Sequence, residues 1–299
     1  MKKILLAIAL LLTLTPSVSY ADVSTNNNIV IIDDGYDPSI TQFAGKIVYE
    51  VCFSQLIQSC PNKGFFQEGQ GAAALTTTQS KFIEGNHGSD MLATAIAENS
   101  NAKFVVIRSA AYTNFGVLLP SDPDISNVLN WVYANKDKLH IGAIVSSTGR
   151  NITSACPQNS SISNVVNSFK AIGVPVIYAV GNNYDYKNIA FPSCMPGIIA
   201  IGAVDRYGIP ALYSNWSPSV AFLALGDITV NSVGNKQTRI MGTSPSAQIF
   251  AADWVAIKTA KPFLTYDQEY ALIQKTASFT SNQYVKNQAS INLANALKP

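Results

Sequence analysis

"NIVIID" (Asn28–Asp33) sets four β-branched apolar residues in a row and closes them with a carboxylate. An apolar run with no polar alternation predicts a strand covered on both faces, the kind found inside a parallel sheet. The pattern outside it alternates. "HGSDMLATAIAE" (His87–Glu98) reads as a helix, "KFVVIRS" (Lys103–Ser109) as a strand, "DISNVLNWVYANK" (Asp124–Lys136) as an amphipathic helix and "IGAIVSS" (Ile141–Ser147) as a strand. "ISNVVNSFKAIG" (Ile162–Gly173) continues as a helix, followed by strands in "VPVIYAV" (Val174–Val180) and "GIIAIGAV" (Gly197–Val204). The alternation predicts an α/β fold: a doubly wound, mostly parallel β-sheet flanked by helices on both faces.

Such sheets place their chemistry in the crevice at the carboxyl ends of the strands. Asp33, Ser146 and Ser147, and Gly181-Asn182 stand at those ends. The stretch from Cys52 to Gly85 is richer in Gly, Gln, Thr and Ser, and predicts a surface excursion from the sheet.

The chain begins with Lys2 and Lys3, an apolar run from Ile4 to Leu14, and small residues at Ser19 and Ala21. The apolar run is too short to span a bilayer, so residues 1–21 are expected to be a secretory signal peptide and 22–299 one large globular domain or two tightly fused ones. Those two lysines account for the whole formal charge of +2. No basic stripe for nucleic acid and no membrane anchor is expected in the mature chain. With 47% hydrophobic and 13% charged residues, the chain has ample material for a buried core.

Four cysteines, Cys52, Cys60, Cys156 and Cys194, are an even number in a chain read as exported, either secreted or periplasmic; three connectivities are open. Pairing Cys52 with Cys60 and Cys156 with Cys194 is favoured, because the first two share one short polar loop. In the chain-entropy model such loops contribute about 2.6 and about 3.9 kcal/mol before native strain. No histidine lies near a cysteine and no Cys-x-x-Cys occurs, so no metal is expected.

The chain holds two histidines. His140 precedes a strand and is placed at the sheet end opposite the crevice. His87 leads a helix in "GNHGSD", between Gly85 and Gly88. A serine hydroxyl needs a base to take its proton, and an imidazole needs a carboxylate to hold its tautomer. Asp33, His87 and Ser244, in "MGTSPSAQ" (Met241–Gln248), occur in the chain order known for subtilisin.

Five ordered segments carry a resemblance to the subtilases, the subtilisin-like serine peptidases. "IVIIDDGYD" is similar to the aspartate motif of that family, "NHGSDMLATAIA" to the histidine motif with Ser89 in place of threonine, and "GTS" to the nucleophile motif. "VPVIYAVGNN" resembles the strand that delivers the oxyanion-hole asparagine, and "FPSCMPGIIAIGAVD" the strand after it. The resemblance implies a serine endopeptidase acting on a protein or peptide substrate as a monomer, without cofactors. Asp33, His87 and Ser244 would form the triad. Asn182 and the Ser244 N–H would form the oxyanion hole, and Ser147, Thr148, Gly149 and Gly181 would line the substrate cleft. It also supports the Cys156–Cys194 pair.

Several positions depart from the family pattern. Pro245-Ser246 replaces the usual Met-Ala, which suits a serine standing just outside a helix. Asp34 stands where Ser or Thr is usual, and is expected to point away from Asp33 because neighbouring strand residues face opposite sides. Asp90 and Ala93 replace a usual His and Gly. "AIAENSNAKFVVI" leaves no room for a common calcium-binding insertion, so no calcium is expected there. Between Ala21 and Asp33 there is no room for the propeptide many subtilases carry, so either the start is incomplete or folding proceeds unaided. The alternative function is a catalytically silent, secreted subtilase-like binding protein. A Rossmann-type cofactor enzyme is excluded, since no GxGxxG follows the first strand.

Overall fold

In the computed structural model, residues 27–54, 57–81, 86–113 and 116–298 are described. The expected signal peptide, residues 1–21, and Gly85 lie outside them. β1 (Asn28–Asp33) forms where "NIVIID" predicts it. Its side chains divide between two cores: Ile29 and Ile31 enter one, Val30 and Ile32 the other. That division is the physical reason the run is apolar at every position.

The chain continues through β2 (Ile47–Phe53) and β3 (Phe66–Glu68) to α1 (His87–Glu98), β4 (Phe104–Arg108) and the small hairpin β5 (Ala111–Thr113) and β6 (Gly116–Leu118). α2 (Asp122–Ala134), α3 (Lys136–Leu139), β7 (Ile141–Ser146), α4 (Ser160–Ala171), β8 (Val176–Ala179) and β9 (Ile199–Val204) complete the alternating part. β10 (Phe222–Leu225), a hairpin of β11 (Asp227–Ser232) and β12 (Lys236–Met241), and α5 (Thr243–Ala260) follow. α6 (Tyr266–Thr276), β13 (Ser278–Thr280), β14 (Gln288–Ser290) and α7 (Leu293–Ala296) close the chain.

Among the described residues the main sheet has the order β13-β14-β10-β9-β8-β7-β1-β4-β2-β3. It is parallel from β2 to β14, with antiparallel strands only at its two ends. β1 pairs with β4 on one side and β7 on the other, so the direction of winding reverses at β1. Ligand crevices open at such reversals, outside the carboxyl ends of the strands, and Asp33 stands at this one. His140 lies at the other end, its carbonyl accepting the Asn28 N–H that starts β1 (2.9 Å).

Helices α1 and α5 cover the face holding Ile29 and Ile31; α2 and α4 cover the other. α5 is buried nearly all round, as a helix apolar on every side must be. Phe250 and Trp254 anchor it; Phe250 stacks on Phe222 of β10 with ring centres 5.2 Å apart.

Local capping moves two helix starts earlier than their apolar periodicity suggests. α2 begins at Asp122, because Ser121 and Asp124 form a capping box; α4 begins at Ser160, because Asn159 Oδ1 accepts the Ile162 N–H (3.1 Å). Ser244 does not stand outside its helix. α5 begins at Thr243, so Ser244 is its second residue, and Pro245 is tolerated because first-turn N–H groups have no partner within the helix.

Both expected disulfides are present, Cys52–Cys60 and Cys156–Cys194, each with Cα atoms 5.8 Å apart. Cys52 is not in a polar loop, however. It lies fully buried on β2, and part of the predicted surface excursion is β3, an edge strand pairing with β2. The bridge therefore ties a loop to the sheet.

Phe250→Ala is expected to lower stability by about 3–5 kcal/mol through the cavity it leaves. Urea unfolding at unchanged slope measures it; a loss below about 1 kcal/mol would show that α5 is not held by this stack.

Candidate active site

The carboxyl end of β1 meets the first turn of α1 through three consecutive bonds. His87 Nδ1 lies 2.8 Å from Asp33 Oδ1, the Gly88 N–H donates to Asp34 Oδ1 (2.7 Å), and the Asp37 N–H donates to Ser89 Oγ (2.8 Å). A carboxylate only accepts, so the imidazole carries a proton on Nδ1, and Nε2 is the nitrogen able to accept one when the ring is neutral. Two carboxylates at a helix N-terminus also match its positive end. Asn86, at the helix N-cap, offers no side-chain bond of its own, and the first-turn Gly88 N–H is capped by Asp34, the residue just after β1.

Asp34 does not point away from Asp33. The strand has ended by residue 34: the Asp34 N–H turns back to Asp33 Oδ1 (2.8 Å), and both carboxylates reach α1. Strand alternation no longer applies once the backbone has turned. Gly88 is required by the closeness of this approach. A Cβ there would lie 2.1 Å from the Gly35 carbonyl oxygen and 2.7 Å from Asp34 Oδ1.

Both aspartates are almost completely buried, whereas the His87 side chain is 38% exposed. Burial works against a charged imidazole, but the Asp33 charge and bond, with the charges of Asp34 and Asp90, outweigh it and raise the His87 pKa to about 9. Burial, then the neighbouring Asp33 charge, pushes Asp34 up to about 7, against the pull of His87, the Gly88 N–H and Tyr112. Burial raises Asp90 as well, opposed by a bond from Ser232 of β11 and by His87.

The start of α5 meets the loop after β8. Asn182 Oδ1 accepts both the Thr243 N–H (2.9 Å) and the Thr243 hydroxyl (3.0 Å), and the same hydroxyl accepts the Gly181 N–H (3.2 Å). With its oxygen occupied twice, the Asn182 amide presents its NH2 end. The Ser244 N–H is a first-turn donor without an intrahelical acceptor. Gly181 adopts φ +97°, and a Cβ there would meet Asn215 Nδ2 at 2.6 Å.

The segment after β7 closes the third side. Ser147 donates its hydroxyl to the Ser244 carbonyl (3.2 Å) and accepts from Gln248 Nε2 (3.2 Å). Thr148 is buried, its hydroxyl paired with Ser146, which in turn donates to the Ile32 carbonyl (2.9 Å each). The Thr148 N–H also donates to Ser146 Oγ (3.3 Å), so of its hydrogen-bonding groups the carbonyl is left for the cleft. Gly149 backs onto Phe191, whose carbonyl oxygen would lie 2.7 Å from a Cβ.

Thr243, Gln248 and the Gly88–Asp34 bond were not legible as site features. Each is a polar residue of ordinary type whose role depends on a partner at least 54 positions away. Asp185 belongs to its own turn, accepting from Lys187, Asn188 and the Asn188 side chain. Among the described residues no cluster of three or more His, Cys, Asp or Glu could hold a metal ion, and no helix is long and apolar enough to cross a membrane.

Residues 25–294 match the model of the subtilase family. The chain is 23% identical over 217 residues to a thermostable alkaline protease of Halalkalibacterium halodurans, covering 70% of this chain and 57% of that protein. It is 25% identical over 223 residues to a thermophilic serine proteinase of Bacillus sp. strain AK1, covering 74% and 49%. The chain thus spans about half the length of these relatives. A solved protease structure from Pseudoalteromonas arctica superposes with a TM-score of 0.70 at 21% identity, over 92% of this chain and 90% of that one.

Two outcomes are expected. Gly88→Ala drives α1 off β1 and costs about 1–3 kcal/mol, with loss of the downfield imidazole Nδ1–H proton resonance; wild-type stability with the resonance retained would contradict the close approach. The raised His87 pKa adds stability that is fully present below its ordinary value of 6.5 and lost as pH climbs through about 9. Urea midpoints should therefore fall more steeply between about pH 7 and 10 for wild type than for His87→Gln, and parallel curves would refute the linkage.

Proposed function

The chain belongs to the subtilase family, and from that premise we propose that it is an exported serine endopeptidase working through Asp33, His87 and Ser244. The observation that carries the reading is the 2.8 Å contact between His87 Nδ1 and the buried Asp33 carboxylate, which leaves Nε2 as the base. Ser244 Oγ attacks the scissile carbonyl carbon while His87 Nε2 takes its proton, and Asp33 stabilises the imidazolium that forms. The developing oxyanion accepts hydrogen bonds from Asn182 Nδ2 and the Ser244 N–H, two donors oriented before the substrate arrives. His87 then protonates the leaving amine as the C–N bond breaks. Water, deprotonated by the same imidazole, hydrolyses the acyl-enzyme and restores Ser244.

Backbone groups of Ser147, Thr148 and Gly149 hold the substrate chain along one wall, and Gly181 lies behind. Residues 22–299 act as one catalytic domain, monomeric and cofactor-free, on protein or peptide substrates. The leader-like run at residues 1–21 and the two disulfides support export to the periplasm or the medium. Because His87 must be neutral to act as base, turnover is expected to rise with pH through about 9.

The expected outcome is that a fluorophosphonate probe labels the wild-type protein and leaves Ser244→Ala unlabelled, while casein hydrolysis is lost in the variant. Equal labelling of both would remove Ser244 from the mechanism. A folded wild type that neither labels nor cleaves casein would favour the silent binding protein, the reading that Pro245-Ser246 in the nucleophile motif raises.

A further inference from the structure

Two adjacent carboxylates, 1% and 3% exposed, stand at the exit of β1, and only Asp33 has a role in the chemistry above. A second buried carboxylate is costly unless something repays its desolvation. The surroundings of Asp34 offset part of that cost and leave the rest as a raised pKa. In front, the Gly88 N–H donates to Oδ1 at 2.7 Å, at the positive end of α1. Behind it lies Arg108 of β4, itself 1% exposed, with its guanidinium 4.6 Å from the ring centre of Tyr112. Arg108 Nη2 donates to the Ser59 carbonyl (2.8 Å), beside the Cys52–Cys60 bridge, and the residue makes no ion pair among the described residues. Its charge acts on Asp34 and on Tyr112, whose phenol burial and then the Asp34 charge hold protonated.

We propose that Asp34 is a positioning residue for His87: through the Gly88 N–H its carboxylate sets where the imidazole stands against Asp33, and its charge favours the protonated ring. The inference rests on the reading of His87 as general base. A hydroxyl, usual at this position in the resemblance, could accept the same N–H but would add no charge. Asp34 therefore supplies two separable effects, an acceptor for α1 and a negative charge one residue from Asp33.

The other groups facing this pair are accounted for. Asp33 ends β1 immediately before Asp34, and Asp90 on α1 is pushed up by burial against the influence of Ser232 of β11 and of His87. Arg108 and Tyr112 approach from β4 and β5. Asp37 turns its Oδ1 to the Ser39 N–H (2.9 Å) and not to the imidazole. Of these, Asp34 alone both touches the backbone beside His87 and is absent from the chemical step.

Three variants separate the effects. Asp34→Asn keeps an acceptor and removes the charge, Asp34→Ser keeps only a neutral acceptor, and Asp34→Ala removes both. The His87 midpoint is read by 1H–15N NMR of the imidazoles in a Ser244→Ala background, with His140, at the far end of the sheet, as internal control. Asp34→Asn and Asp34→Ser should lower the His87 midpoint by about half a pH unit or more and leave that of His140 unmoved. On casein, both should keep kcat at the alkaline plateau within about threefold, whereas Asp34→Ala should lose about tenfold or more in kcat with little change in KM.

An unchanged His87 midpoint in Asp34→Asn overturns the electrostatic half, and a wild-type plateau kcat in Asp34→Ala overturns the positioning half. If Asp34→Ala does not fold, Asp34→Leu, which also offers no acceptor, carries the second arm, judged on protein shown folded by circular dichroism. Failure of the catalytic reading is told apart by fluorophosphonate: an unlabelled wild type removes the base role of His87, while the imidazole midpoints still decide whether Asp34 acts on the ring.

Discussion

The first turn of α1 is held to the exit of β1 by bonds at three successive residues, His87 to Asp33, Gly88 to Asp34 and Ser89 to Asp37. Each bond would be modest in water. Here two of the three acceptors are buried carboxylates, and charge-assisted bonds shielded from solvent are the strong ones. The stitching requires the backbones to approach so closely that residue 88 has no room for a side chain. The angle at which α1 leaves the sheet, and with it the place of the imidazole, follows from that contact. The opposite side of α1 rests on α5, so the two helices that bear His87 and Ser244 share one core.

The second junction obeys the same geometry from the other direction. Parallel strands end where helices begin, so the crevice collects strand-terminal acceptors and helix-initial donors. Thr243 gives its N–H and hydroxyl to the Asn182 oxygen, which leaves the amide NH2 as the end still able to donate. Ser147 ties the third strand end to the Ser244 carbonyl. Three strand ends and two helix starts are thereby fixed to one another by short polar contacts, with the apolar residues of the same elements packed behind them.

Electrostatics follow from the same crowding. Asp33, Asp34 and Asp90 surround one imidazole, and their joint field favours its protonated form although burial opposes it. An imidazole held at high pKa accepts a proton readily once neutral, but its neutral form is scarce below that pH. The buried Arg108 limits the cost of this negative cluster from behind, and Ser59, next to a disulfide-bonded cysteine, holds Arg108 in place.

Much of this was legible in the order of residues alone. The apolar run of β1, the extent of α1 and the alternation that builds a parallel sheet all follow from local pattern, because burial on two faces leaves few alternatives; the pairing of the four cysteines was one of three open to the sequence, favoured by the nearness of Cys52 to Cys60 and by the family resemblance. The ordered Asp33, His87, Asn182 and Ser244 segments pointed to the family by their resemblance to its motifs. The starts of α2 and α4, the β11–β12 hairpin, the placement of Ser244 inside its helix and the orientation of Asp34 were not legible. Capping bonds and backbone turns decided them, and these are set by single polar contacts that leave no periodic trace. The sequence by itself determined which residue types stand at the strand ends and helix starts; only the tertiary structure decided which of them touch, because a hydrogen bond between residues 34 and 88 exists only after β1 and α1 have packed, and no local pattern encodes a distance of 2.7 Å across that gap.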